Sequence, residues 1–198
     1  MTDLAAVRAM APSPNPRYAP ERLTAVARLG LAGTAAREQV EPAVADLLDG
    51  LAARTGAETV LVNVLLADTV AVVAARGLDG WIALAGGVPA EWAMCSTTAR
   101  QAAAYVVDDL AADPAWADTP LVALDGLRAY AGVPLITSEG SVIGTVCALG
   151  TAPRTLDESV IEELALCAGE VLERLEQQAE VPGATTVAAP GQESSGAG

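Results

Sequence analysis

Apolar positions recur at two different periods along this chain, and the changes of period divide it. From Pro20, the residues Leu23, Val26, Ala27, Gly30 and Leu31 fall at helical intervals, with Pro20 suited to a first turn. A second helix is expected from Glu38 to Arg54, where Val40, Val44, Leu47, Leu48 and Leu51 make one apolar face and Gly56 follows as a cap. The period then shortens. Residues 58–66 and 69–75 are rich in Val and Leu and are separated by Ala67 and Asp68, as in a hairpin, with Asn63 the lone polar side chain inside the first strand. Residues 77–94 carry Gly77, Gly80, Gly86, Gly87 and Pro89 and read as loop; residues 96–103 read as a short helix. Tyr105, Val106 and Val107 form a short strand that ends on two acids, and 110–126 read as irregular, with turns at Asp113-Pro114 and Thr119-Pro120.

Two stronger strands follow, 128–136 and 141–149, joined by Thr137 to Gly140. The last element has the cleanest pattern: Leu156, Val160, Leu164, Cys167, Val171 and Leu175 form one helical stripe, opened by a capping box of Thr155 and Glu158. The Pro-rich 1–19 and the Pro, Gly, Ala and Ser-rich 179–198 read as disordered, leaving one domain over 20–178. Helices, hairpin, loops, hairpin and helix describe an α+β class: a central antiparallel sheet with helices packed on one face.

Composition narrows the chemistry. The chain has no His and no Lys, which removes an imidazole base, a His-ligated haem or zinc, an internal Schiff base and a P-loop lysine. The formal charge of −14 is unevenly placed: residues 1–37 hold five Arg against Asp3 and Glu21, and the remainder is strongly acidic. An acidic body without a basic stripe argues against direct nucleic-acid binding. No apolar run is long enough to span a membrane, and the first residues do not read as a signal peptide. The three Cys, at 95, 147 and 167, show no close pairing and give an odd count, which fits a reducing cytoplasm rather than a disulfide framework.

The order of motifs resembles a GAF domain of the bacterial sensor type, here as a stand-alone module. The stretches that carry the resemblance are Tyr105 to Leu110 (YVVDDL), Asp113 to Pro120 (DPAWADTP), Leu127 to Leu135 (LRAYAGVPL) and Gly140 to Cys147 (GSVIGTVC), with Cys95 after the loop and Pro153-Arg154 before the closing helix. The resemblance implies a loop-walled cavity on the sheet face opposite the helices, and a small-molecule sensor that signals through dimerisation or an effector protein. The residues expected to line that cavity are Trp92, Cys95, Asp108, Asp109, Trp116, Arg128 and Tyr130, an aromatic wall with a few convergent polar groups.

Each has a plainer role. The acids at 108, 109, 113 and 118 are of the kind that cap turns, and their spacing matches no calcium loop; Arg128 is placed to pair with one of them. Related sensors attach a bilin through a cavity Cys, but Ser96 stands where the attaching motif has His, so covalent bilin and haem are both disfavoured and the cofactor is left unknown. Cys147 and Cys167 read as core filling, which leaves Cys95 without a resolving partner and without a His or Lys to lower its pKa. A thiol redox sensor or free methionine sulfoxide reductase using Cys95, and an interaction module with a filled cavity, remain as alternatives to a non-catalytic sensor. A homodimer is expected through helices 38–54 and 156–178 if either apolar stripe is wider than the sheet needs.

Overall fold

Alternation along the central strands decides the architecture, because it sends successive side chains to two different layers. In β1 (Thr59–Leu65), Val60, Val62 and Val64 join one buried cluster, while Leu61 and Leu65 join another. In β6 (Val142–Gly150), Val146 and Ala148 go to the first cluster and Cys147 to the second. A sheet buried on both faces needs two coverings, and the chain supplies two different ones. The structure is a computed structural model that describes residues 20–33 and 35–180; the expectations for 1–19 and 181–198 lie outside these residues.

The six strands run in the order β3-β2-β1-β6-β5-β4, and all are antiparallel to their neighbours. The others are β2 (Thr69–Arg76), β3 (Gly87–Pro89), β4 (Tyr105–Val107) and β5 (Ala129–Ile136). The back face is covered by α1 (Pro20–Arg28), α2 (Ala35–Thr55) and α6 (Glu158–Glu180). Val40, Val44, Leu48 and Leu51 of α2 and Val160, Leu164, Cys167, Val171 and Leu175 of α6 are all buried there, so both stripes are used within the protomer. Arg174 of α6 ties the two long helices together, its Nη1 donating to the Ala43 carbonyl at 2.6 Å and to Asp46 Oδ1 at 2.5 Å. The front face is covered by α3 (Gly80–Ala85), α4 (Cys95–Gln101), α5 (Pro120–Ala123) and the loops that join them.

Five expectations are corrected. The stretch 77–94, read as loop, contains α3 and β3. Neither announces itself by apolar periodicity, since α3 buries none of its side chains and β3 joins the sheet edge through three backbone-paired residues. The irregular 110–126 likewise contains the four-residue α5, started by Pro120. In α1 the inward face is Ala25, Val26 and the stem of Arg22, whose Nε donates to the Val142 carbonyl at 2.8 Å, while Leu23 is exposed. The cap of α6 is Asp157 rather than Thr155: its Oδ1 accepts from Ser159 Oγ at 2.6 Å and from the Val160 N–H at 3.4 Å. That helix also runs to Glu180, past the expected end at 178.

Gly144 explains one half of the G-x-x-x-G-T pattern. It stands opposite Val64 on β1, and a Cβ built there would lie 1.9 Å from the Asn63 carbonyl oxygen, in the middle of the sheet. Gly144→Ala is therefore expected to cost about 2 kcal/mol or more in thermal or denaturant unfolding. Gly169, exposed inside α6 with nothing within 4 Å of its built Cβ, gives the matched control. Gly169→Ala should stabilise by about 0.5–1 kcal/mol. Equal effects of the two substitutions would contradict this packing.

Candidate functional site

Four residues interrupt the apolar front face of the sheet with polar atoms, and they meet a fifth from its covering at one place. Asn63 on β1 and Thr145 on β6 are directly paired partners in register, and both are buried. Cys147 follows on the same face of β6, opposite Leu61 and Gly132. Tyr130 projects from β5, and Cys95 comes from the first position of α4. Tyr130 needs the bare backbone of Gly132 beside it, because a Cβ there would lie 2.1 Å from its hydroxyl oxygen.

The polar atoms account for one another. Thr145 Oγ1 donates to Asn63 Oδ1 at 3.0 Å, which turns the amide nitrogen towards the two thiols. Asn63 Nδ2 then donates to Cys95 Sγ at 3.3 Å and more weakly to Cys147 Sγ at 3.7 Å. The two sulfurs are 3.8 Å apart and unbonded. Tyr130 shares a 2.7 Å hydrogen bond with Thr98 of α4, which is also buried. Among the described residues no buried side-chain nitrogen or oxygen lacks a partner.

This setting splits the two thiols electrostatically. The Cys95 pKa is drawn down to about 7, first by the hydrogen bond from Cys147 and then by Tyr130, Thr145 and Asn63, against the opposing effect of burial. Cys147 is pushed well above the ordinary range by the same hydrogen bond seen from its donor side, with burial adding to it. Of the two, Cys95 is the more acidic thiol. Tyr130 is held protonated, chiefly by burial and secondly by negative charge on the neighbouring sulfurs. Cys167 lies in the helical layer on the other face of the sheet, and burial raises it to about 11.

A half-open cavity of about 240 Å³ lies over this cluster, with Asn63, Cys95 and Tyr130 in its lining. Its walls are mainly apolar: Leu61, Val70, Val72 and Leu149 from the sheet, and Leu78, Ile82, Met94, Leu121 and Leu127 from the front covering. Trp81 Nε1 donates to Asp125 Oδ1 at 2.8 Å, joining α3 to the segment after α5 beside the cavity. Glu58, Asp79 and Asp125 are the charged residues of the lining, and none of the described lining residues is basic.

Of the seven residues expected at the site, Cys95 and Tyr130 line this cavity and five stand elsewhere. Trp116 lines a separate cleft of about 440 Å³ beside Tyr105 and Arg100, and its Nε1 donates to Tyr105 Oη at 2.8 Å. Trp92 packs half-buried against the front cluster. Asp109 and Arg128 form a two-pronged ion pair, both contacts at 2.8 Å, and the guanidinium holds the Asp109 carboxyl below its usual range. Asp108 Oδ1 accepts the Leu156 N–H at 3.0 Å, fastening the lead-in to α6. These acids are turn and joint residues because their carboxylates are consumed by nearby N–H groups. Two expectations about Cys95 are also corrected. It has a neighbouring thiol, and uncharged donors lower its pKa without His or Lys. Strand parity was the available signal: it puts Asn63, Thr145 and Cys147 on one face.

The comparisons agree with this architecture. The family model for the GAF domain matches residues 39–172. No curated protein matches the sequence. Among solved structures, the GAF domain of an Acinetobacter phosphoenolpyruvate-protein phosphotransferase superposes with a TM-score of 0.56 at 11% identity, covering 81% of this chain and 96% of that one. The blue-light absorbing form of the Thermosynechococcus elongatus PixJ GAF domain gives 0.56 at 17% identity, covering 74% and 90%. A type II free methionine-R-sulfoxide reductase from Thermoplasma acidophilum gives 0.55 at 15% identity, covering 72% and 93%. No helix among the described residues is long and apolar enough to cross a membrane.

The split between the thiols is open to direct measurement. Monoalkylation of the native protein by iodoacetamide is expected first at Cys95, with a rate that rises through an inflection near 7, against about 8.5 for a free thiol. A first adduct on Cys167, or an inflection at or above that of a free thiol, would contradict the assignment. With a matching family model over most of its length and the six-stranded sheet that its solved neighbours share, the chain belongs to the GAF domain family, whose members are generally non-catalytic sensor and regulatory modules.

Proposed function

We propose that this GAF domain is a regulatory module that binds a small, uncharged or cationic, predominantly apolar molecule in the cavity over Asn63, Cys95 and Tyr130. The observation that carries the reading is the lining itself: apolar walls, a polar floor with hydrogen-bonding atoms, and three carboxylates with no base. A phosphate or carboxylate ligand would meet Glu58, Asp79 and Asp125 without a counter-charge. The volume of about 240 Å³ also lies below the 300–1,000 Å³ of drug-sized sites, which argues for a small metabolite over a bilin.

The same lining weighs against a free methionine sulfoxide reductase of the kind known from Thermoplasma acidophilum. Free methionine sulfoxide carries a carboxylate, and no described lining residue would pair with it. A wholly filled cavity, as an interaction module without ligand would have, is less well supported by the open volume.

Output would pass through the helical layer to a second copy of the chain and from there to an effector protein. The stripes of α2 and α6 are consumed by the protomer's own core, so the contact would use what is left outside, above all Leu166 of α6, which is 64% exposed. Sedimentation velocity is expected to show a dimer that Leu166→Glu converts to monomer; a monomeric parent chain would remove the homodimer from the reading.

Calorimetric titration of the full chain against a panel of small neutral and cationic metabolites should give saturable heat for at least one member. Val88→Trp, which places an indole in the cavity wall, should abolish that heat. The reading fails if no member gives heat or a thermal shift, or if binding survives with the cavity filled.

A further inference from the structure

Three thiols are present in this chain, and only two of them are arranged to react with each other. Cys95 and Cys147 belong to segments 52 residues apart, yet their sulfurs stand in contact, 3.8 Å from each other. An S–S bond of about 2.05 Å is reached by a movement of less than about 2 Å. The approach is polarised. Asn63 aims its amide nitrogen at both sulfurs, and its orientation is fixed by Thr145 from the far side. Access is unequal: Cys95 lines the half-open cavity, whereas Cys147 is fully buried behind it and does not. Cys167 is on the opposite face of the sheet and serves as an internal control.

We propose that Cys95 and Cys147 are a peroxide-sensitive dithiol site, in which Cys95 is the attacking sulfur and Cys147 the resolving one, and that hydrogen peroxide converts them to a reversible disulfide beneath the cavity. The Cys95 thiolate attacks the terminal oxygen of the peroxide; the O–O bond breaks, and Cys95 becomes a sulfenic acid as hydroxide leaves and is protonated to water. Cys147 then attacks the Cys95 sulfur. The S–S bond forms, the S–O bond breaks, and the departing hydroxide takes the Cys147 proton as a second water. Two thiols have lost two electrons and hydrogen peroxide has gained them. The disulfide draws the start of α4 towards β6 and removes the sulfur acceptors that hold the Asn63 amide. This inference rests on the sulfur pair and its surroundings, and it stands whether or not the cavity takes a metabolite.

The test uses the full reduced chain and hydrogen peroxide. Thiols titratable after denaturation should fall from three to one, with one equivalent of peroxide consumed. Peptide mapping without reduction should join the Cys95 peptide to the Cys147 peptide and leave Cys167 free. A dithiol reductant should restore all three. Cys147→Ser should stop at a Cys95 sulfenic acid that a dimedone probe traps, and Cys167→Ala should leave the reaction unchanged. The wild-type mapping needs no variant, so it stands even if Cys147→Ser folds poorly. Three thiols persisting under peroxide that oxidises a free cysteine, a bridge that includes Cys167, or bridges between chains would each overturn the proposal.

Discussion

Asn63 lies in β1, between β2 and β6, with its side chain buried on the front face of the sheet. An amide there must place an oxygen and two N–H groups without water, and each group left unpaired costs about 1–3 kcal/mol. Thr145 satisfies the oxygen from the neighbouring strand, at the register position directly opposite. The nitrogen is thereby turned to the sulfurs of Cys95 and Cys147. One cross-strand hydrogen bond therefore sets the orientation of the amide and the polar character of the cavity floor, while the contact between the two sulfurs makes their proton affinities unequal. Tyr130 bounds the same floor and is fixed separately, by Thr98 and by the space above Gly132.

The front and back of the sheet differ in kind. Behind it, long helices bury regular stripes, and Arg174 and Arg54 reach across them to Asp46 and Glu163. In front, short helices and loops are held by individual side-chain contacts such as Trp81 to Asp125 and Trp116 to Tyr105. Such a wall has fewer cooperative contacts and opens locally at lower cost than a packed helix pair. A ligand or a disulfide on the front can therefore act on the covering without dismantling the core behind it.

Much of this fold was legible in the sequence, and the reason is periodicity. The stripe from Leu156 to Leu175 and the paired strands near 128–149 bury long regular faces, so their patterns are strong. The elements that escaped, Gly80–Ala85, Gly87–Pro89 and Pro120–Ala123, are short and held by backbone pairing or a turn, which leaves little trace in apolar spacing. The site was read less well. Asp108, Asp109 and Arg128 attract notice as charged residues in a compact stretch, but each is absorbed locally by an N–H group or an ion pair. Asn63, Thr145 and Cys147 are unobtrusive one at a time. They become a site only when strand parity and the register between β1 and β6 put them side by side, and register between distant strands is not written in local sequence.

If the Asn63–Thr145 hydrogen bond organises the front face, a double-mutant cycle registers the coupling between the two side chains. Asn63→Leu, Thr145→Val and the double variant would be compared with the parent chain by denaturant unfolding. Each single change strands a buried partner, so the double variant should cost less than the sum of the two by about 1–2 kcal/mol. Strict additivity of the two costs would mean that the two side chains act independently and that this hydrogen bond does not organise the front face.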